Sequence, residues 1–517
     1  MTFPITQRNV SEWQFSRRGT ACRLFITCWL VYALHFATNT VREIYPALSL
    51  GDRMSFDVTE YTDLHPDIFE IPGRGVFINS NPGASILGAL PYTLTRPLID
   101  WIVERINRSR DGSPELLPKY DIPFPLVKEF YRKAYERGLD VKLGLAAGVM
   151  QALLMAPLSA FSAVLMFYIL VSLTGSIRTA LLLALLYAFA TPVFYRTAQL
   201  NQNLLVGHSA FFAFALLWRP WKKDASPLCA STSYLGAGLL CGWAVVLDYS
   251  GLVVLSVLGL YALVRVFSLR KKTRVVSNMF SFVIGVTVAI SVLMAYQWLY
   301  FGHPLYPAQH YMPPTPFSRY GYNGLNWPDL RLLWETAFGM RFGLFISAPL
   351  LLMSLYIPGW FQRTRIVAAQ ETWLIIIYSV VFFLFSASIK FGYLQFNSGV
   401  RYIVPVVPFL FLLSAGVLLR MPKLLATIVG IAATYWSWCL AMYRDVEHGL
   451  GIPESIIHVT LEGPRLPWIK TLERMNYVTT DYASSIVIAL AAIVLWSIWA
   501  LRTPRIWPYS SGLQRQI

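Results

Sequence analysis

Seven carboxylates, Glu43, Asp52, Asp57, Glu60, Asp63, Asp67 and Glu70, fall within residues 39–82 of a chain otherwise dominated by apolar runs. An acidic stretch punctuated by Gly and Pro beside a membrane span faces either water or a protein-lined cavity. Glu43, in T-N-T-V-R-E-I-Y-P, leaves the first apolar run directly. A carboxylate at that depth is partly desolvated and held in place, as a general base for a hydroxyl nucleophile must be. The same spacing also fits a plain Arg42–Glu43 ion pair that ends a helix and contributes little.

Three further groups carry chemistry. F-I-N-S-N-P-G-A-S at 77–85 reads as a turn that opens a helix. The free amides of such a helix can hold a phosphate, or Asn81 or Ser80 can simply cap the turn. Arg341, Arg401 and Arg196 sit at the mouths of apolar runs on one side of the chain. They can bind an anionic lipid headgroup or merely snorkel to phospholipid phosphates. His65, His303, His310, His448 and His458 lie on that same side, and no pair has metal-ligand spacing. No HExxH, Walker A, GxGxxG or GxSxG motif occurs. The aromatic-rich loop 301–328 can stack on sugars, although interfacial belts use the same residues.

These residues need a scaffold, and the composition supplies a polytopic helical membrane protein. Of 517 residues, 56% are hydrophobic and 14% charged, well below the ~25% charge of soluble domains. The apolar candidates are 21–38, 83–103, 143–173, 177–195, 204–218, 233–247, 250–267, 279–300, 343–361, 373–390, 402–419, 424–442 and 483–501. The second contains Pro91, Arg96, Pro97 and Asp100, and charge parity decides whether it crosses. If it lies in the interface as an amphipathic helix, every short basic link joins the basic N-terminus on one side. That side then holds 20 Lys and Arg against three carboxylates. If it crosses, the later basic links all land outside, against the positive-inside rule. The expectation is therefore about twelve crossings, both termini cytoplasmic, and an interfacial helix at 83–103.

Outside fall the first loop 39–142, with 15 of the 27 carboxylates, then 301–342, 391–400 and 443–482. A short link, R-T-A-Q-L-N-Q-N, joins them there. The net charge of +16 resides in the membrane-flanking links, so nucleic acid is not the partner. The five cysteines show no disulfide framework, and the basic N-terminus followed by 21–38 lacks a small-residue cleavage site, so it reads as an uncleaved span.

With these motifs in order, the chain resembles the GT-C class of membrane glycosyltransferases. It is most similar to the family 39 group of protein O-mannosyltransferases and lipid A aminoarabinose transferases. R-E-I-Y-P-A-L-S-L-G-D-R-M-S-F resembles the family's acidic helix after span one, and F-I-N-S-N-P-G-A-S-I-L its entry to a juxtamembrane helix. T-G-S-I-R-T-A-L-L-L-A-L-L-Y-A-F-A-T-P with Y-R-T-A-Q resembles its third-span signature, and R-Y-I-V-P-V-V-P its late Tyr-x-x-Pro-x-x-Pro span. The resemblance implies a polyprenyl-phosphate sugar donor, an extracytoplasmic site, and inverting transfer to a hydroxyl of a glycan, lipid or protein acceptor.

Under that resemblance Glu43 is the base, where the family usually has Asp, with Asp52 and Asp57 as alternatives. Arg42, Arg74, Arg341, Arg401 and Tyr402 would hold the donor phosphate as charge develops. Many relatives carry an Asp in the second outer link, which here reads Gln199-Leu200-Asn201-Gln202-Asn203. No metal or other cofactor is therefore expected. Asn81, Gln202 and Asn203 would bond sugar hydroxyls, with His208 one turn deeper. A transporter or flippase would share the span count, but no related halves are visible. A non-catalytic membrane assembly partner is the third reading. The compact loops point to a bacterial cytoplasmic membrane.

Overall fold

Backbone amides and carbonyls in lipid must pair within their own segment, so the apolar runs become helices. The computed structural model describes residues 15–38, 40–111, 125–220, 227–267, 272–361, 366–395, 399–443, 451–475, 477–480 and 482–501. The order is α1 (Arg17–Leu34), α2 (Ile44–Arg53), the strands β1 (Ile68–Ile71) and β2 (Gly75–Ile78), α3 (Pro82–Asp111), α4 (Pro125–Glu136), α5 (Asp140–Met150) and α6 (Ala156–Thr174). Next come α7 (Ile177–Phe189), α8 (Pro192–Arg196), α9 (Gln202–Trp218), α10 (Pro227–Leu247), α11 (Gly251–Phe267) and α12 (Lys272–Phe301). The remainder is α13 (Leu330–Phe338), α14 (Leu344–Ser347), α15 (Ile357–Phe361), α16 (Ala369–Ser388), α17 (Val407–Leu418), α18 (Lys423–Met442), α19 (Ile452–Glu462), α20 (Pro467–Arg474) and α21 (Ala483–Ala500).

The fold is an all-α polytopic membrane protein. Six described helices are long and apolar enough to cross a bilayer: Asp140–Thr174, Ala230–Leu247, Arg274–Phe301, α16, α18 and α21. Four shorter apolar helices, α7, α9, α11 and Val404–Leu418, accompany them. Helices α5 and α6 run on through a π-helical segment at Gln151–Met155. At the centre, α9 and α17 bury nearly their whole surfaces. Helices α12, α16 and α21 instead expose apolar side chains outward, including Val276, Phe280, Val380, Ile486 and Leu490. Gly238 on α10 faces Gly285 on α12, and Gly242 faces Val286 and Ala289. A side chain at Gly238 would strike the Phe282 carbonyl, and one at Gly285 the Leu235 carbonyl. Small residues spaced four apart thus let two backbones touch, which compensates for the missing hydrophobic drive within lipid.

Two expectations need correction. Residues 343–361 do not form one span. Helix α14 ends at Ser347, a 3-10 turn covers Pro349–Leu355, and α15 restarts at Ile357. Pro349 and Pro358 lack the amide that a continuous helix needs. The acidic loop after α1 also contains a two-stranded antiparallel hairpin, with Ile68 opposite Ile78 and Ile71 opposite Gly75. Its F-E-I and G-V-F-I runs are β-favouring, and Gly73 (φ 75°) supplies the positive φ of the turn.

The first loop is braced locally. The Val58 amide donates to the Val76 carbonyl at 2.8 Å, and the Tyr45 hydroxyl to the Leu64 carbonyl at 3.2 Å. Helix α3 continues from the hairpin for 30 residues, with Pro91 and Pro97 inside it. Leu90, Leu94, Leu98 and Trp101 line one exposed side, while Tyr92 and Ile99 on the other are buried.

Candidate active site

Glu43 is the N-cap residue of α2 and is 1% exposed. Arg42 Nε donates to its Oε1 at 3.0 Å, and Arg42 Nη1 pairs with Asp67 Oδ2 at 3.3 Å. Burial opposes the charge on Arg42, but the carboxylates of Glu43 and Asp67 outweigh it and raise the guanidinium pKa. Glu43 Oε2 has no protein partner among the described residues. The Ser85 hydroxyl donates to the Glu43 carbonyl at 2.8 Å, tying the base position to the first turn of α3. His65 Nδ1 accepts from the Asp67 amide at 3.0 Å. Burial lowers the His65 pKa, so the ring is neutral near pH 7. Tyr402 lies within electrostatic range of Arg42, and Arg401 within range of His65. The Arg401 guanidinium sits 5.3 Å from the centroid of the Tyr402 ring. Glu43, Arg42, Asp67, His65, Arg401 and Tyr402 therefore share one neighbourhood.

The turn at 79–85 is buried. Asn81 Nδ2 donates to the Val245 carbonyl at 2.9 Å. A side chain at Gly83 would meet the Val246 carbonyl at 2.8 Å. The N-terminus of α3 is thus packed against the backbone of α10.

That packing carries the chain to a carboxylate which sequence reasoning missed. Asp248 follows α10, and Gln202 Nε2 donates to its Oδ2 at 2.8 Å. Asn201 caps α9 by accepting the Leu204 amide at 3.0 Å, which fixes the direction of Gln202 and Asn203. Asp248 was legible only as a lone acid between the apolar runs 233–247 and 250–267. His208 is turned elsewhere: its Nε2 bonds the Ser159 hydroxyl at 2.9 Å, and its ring stacks on Phe212.

The remaining site candidates lie apart from Glu43. Asp52, at the far end of α2, binds the Tyr92 hydroxyl at 2.9 Å, Lys142 at 2.8 Å and Arg96 at 3.1 Å. Nine helical residues, about 13 Å of rise, separate it from Glu43. Asp57 accepts from the Thr59 amide at 2.9 Å and the Val76 amide at 3.2 Å. Despite an opposing burial effect, those donors lower its pKa. Arg74 is exposed at the hairpin tip, over the Tyr300 carbonyl. Arg341 donates to the Gln395 carbonyl, and its own carbonyl accepts the Gly399 amide at 2.9 Å. Arg196, fully buried, donates to the carbonyls of Val400 at 2.5 Å and Gly399 at 2.6 Å. Two of the three outer arginines thus fasten the segment that leads into Arg401. His448 lies outside the described residues. No three His, Cys, Asp or Glu converge on one point among the described residues.

The sequence of residues 89–306 matches the family model of dolichyl-phosphate-mannose-protein mannosyltransferase. The matched stretch includes Gln202, Asn203 and Asp248 but neither Glu43 nor Arg401. No curated protein matches the chain. Among solved structures it is similar to ArnT from Cupriavidus metallidurans in the apo state, at 14% identity and a TM-score of 0.47, over 93% of this chain and 76% of that one. The same protein bound to undecaprenyl phosphate gives 13% identity and a TM-score of 0.42, over 93% and 75%. The resemblance to GT-C membrane glycosyltransferases is shown by the family match, which spans less than half of the chain.

Proposed function

We propose that the chain is a membrane glycosyltransferase that moves a sugar from a polyprenyl-phosphate donor to an acceptor hydroxyl, with inversion, on the extracytoplasmic face. The observation that carries this reading is the buried Glu43, held at a helix start by Arg42 with one carboxylate oxygen open. In the reaction the acceptor oxygen attacks the anomeric carbon while its proton passes to Glu43 Oε2. The bond to the phosphate oxygen breaks, and the electron pair leaves with polyprenyl phosphate. Arg401, beside Tyr402, is the cation placed to meet that charge. Among the described residues no carboxylate pairs with it. Arg42 orients Glu43 through its bond to Oε1. Arg196 and Arg341 hold the backbone that presents Arg401, and act through it.

The outward placement rests on the charge of the links, as do the cytoplasmic termini. The acceptor is a hydroxyl on a glycan, lipid or protein. The test supplies purified protein in lipid with a panel of radiolabelled polyprenyl-phosphate sugars and compares wild type with Glu43→Gln. Wild type should release polyprenyl phosphate, and Glu43→Gln should bind donor with turnover reduced by about 10²–10⁴-fold. Equal turnover would move the base elsewhere. Absence of both binding and turnover would sink the transferase reading.

A further inference from the structure

We infer that Asp248, Gln202 and Asn203 form the pocket for the donor's sugar ring, opposite the arginine side that meets its phosphate. This deepens the transferase reading and rests on it for the identity of the ligand.

Gln202 and Asn203 are 2% and 1% exposed. Gln202 gives one Nε2 hydrogen to Asp248, while its Oε1 has no protein partner, and neither does Asn203 Nδ2. Ser250 Oγ, two residues beyond Asp248 and also buried, is unpartnered too. A buried polar atom left without a hydrogen bond is costly, and natural folds keep few of them outside functional sites. Here a lone acceptor and a lone donor occupy adjacent residues. Neighbouring hydroxyls of one sugar ring satisfy both, because each hydroxyl donates once and accepts through its lone pairs.

The charge of the corner selects the same ligand. Asp248 accepts the Ser250 amide at 2.8 Å on Oδ1 and Gln202 at 2.8 Å on Oδ2. A carboxylate retains further lone pairs after two such bonds. Its neighbours in the outer region are paired with cations: Glu43 and Asp67 with Arg42, Asp52 with Lys142, Asp329 with Lys390. Asp248 has no cation partner among the described residues. An unpaired carboxylate repels phosphate and welcomes hydroxyl hydrogens, so this corner fits the sugar end of the donor. The two sides are linked through the first turn of α3. Ser85 bonds the Glu43 carbonyl, and Asn81 bonds Val245, three residues before Asp248.

The experiment reads stability and turnover together on the full-length protein in lipid nanodiscs. The double variant Gln202→Met/Asn203→Leu keeps side-chain volume but removes the orphaned polar atoms. If they exist for a ligand, its Tm should rise, by about 1–3 °C, while turnover of the polyprenyl-phosphate sugar panel falls by about 100-fold. A lowered Tm would mean the amides stabilise the fold, and would overturn the pocket. Asp248→Asn preserves shape and should raise the donor KM about tenfold with little change in kcat. Unchanged KM would also overturn the pocket. If wild type neither binds nor turns over any sugar in the panel, the transferase reading fails by itself, and the Tm of the double variant still decides the pocket.

Discussion

Arg42 and Asp52 carry opposite expectations, although both belong to ion pairs around α2. Arg42 pairs with a carboxyl group that is almost wholly buried, so Arg42→Gln leaves Glu43 without its ion-pair partner. The loss should reach about 3–5 kcal/mol, in keeping with other broken buried pairs. A chemical denaturation midpoint would show it, together with lost turnover. Asp52→Asn loosens contacts to Lys142, Arg96 and Tyr92. It should lower Tm while the folded fraction turns over normally; a loss of turnover with Tm intact would return Asp52 to the candidate bases. His65 adds a pH dependence. Its pKa is lower in the folded protein than the usual 6.5, through burial. Neutral His65 therefore contributes stability that is complete above about pH 6.5 and is lost as the pH falls through the folded value. Tm measured from pH 7.5 down to 5 should fall less steeply in His65→Gln than in wild type.

Among the elements, α3 shows how charge and hydropathy divide their information. It is apolar enough to be mistaken for a span, yet Pro91, Pro97, Arg96 and Asp100 interrupt it, and it is not among the helices suited to crossing. Its exposed stripe, Leu90, Leu94, Leu98 and Trp101, repeats every three to four residues along one side, as in helices lying in a lipid interface. A nitroxide placed at Leu94 should collide more with oxygen than with a water-soluble nickel chelate. The reverse would place this side in water or against protein. Helices α7 and α8 show the effect of a single proline. Thr191 caps the new start, Pro192 occupies its first position, and the chain turns so that Arg196 reaches the carbonyls of Gly399 and Val400. The guanidinium fork holds both carbonyls in a fixed planar geometry, which the flexible ammonium of lysine does not pre-organise.

At the scale of the molecule, the proposed orientation is open to a direct test. Single cysteines at Glu70, in the first outer loop, and at Arg420, between α17 and α18, both replace exposed residues. In right-side-out vesicles a membrane-impermeant maleimide should label the Glu70 position and spare the Arg420 position until the membrane is permeabilised. The opposite pattern would reverse the topology and remove the extracytoplasmic site. The helical membrane architecture, the proline-interrupted amphipathic helix over 83–103 and the acidic first loop were legible from the chain, because hydropathy and charge are sums over neighbouring residues. The broken helix at 343–361 was not, since its length and composition match a span while prolines and packing decide its course. Partners were hidden for the same reason. Asp52 and Lys142 stand 90 positions apart, Gln202 and Asp248 46, and Arg196 and Gly399 203. Local sequence determined that Glu43 follows an apolar run and that Gln202 and Asn203 start a helix. Only the tertiary structure decided that Arg42 and Asp67 enclose the first and that Asp248 meets the second, because a hydrogen bond between distant residues exists only where packing brings them within about 3 Å.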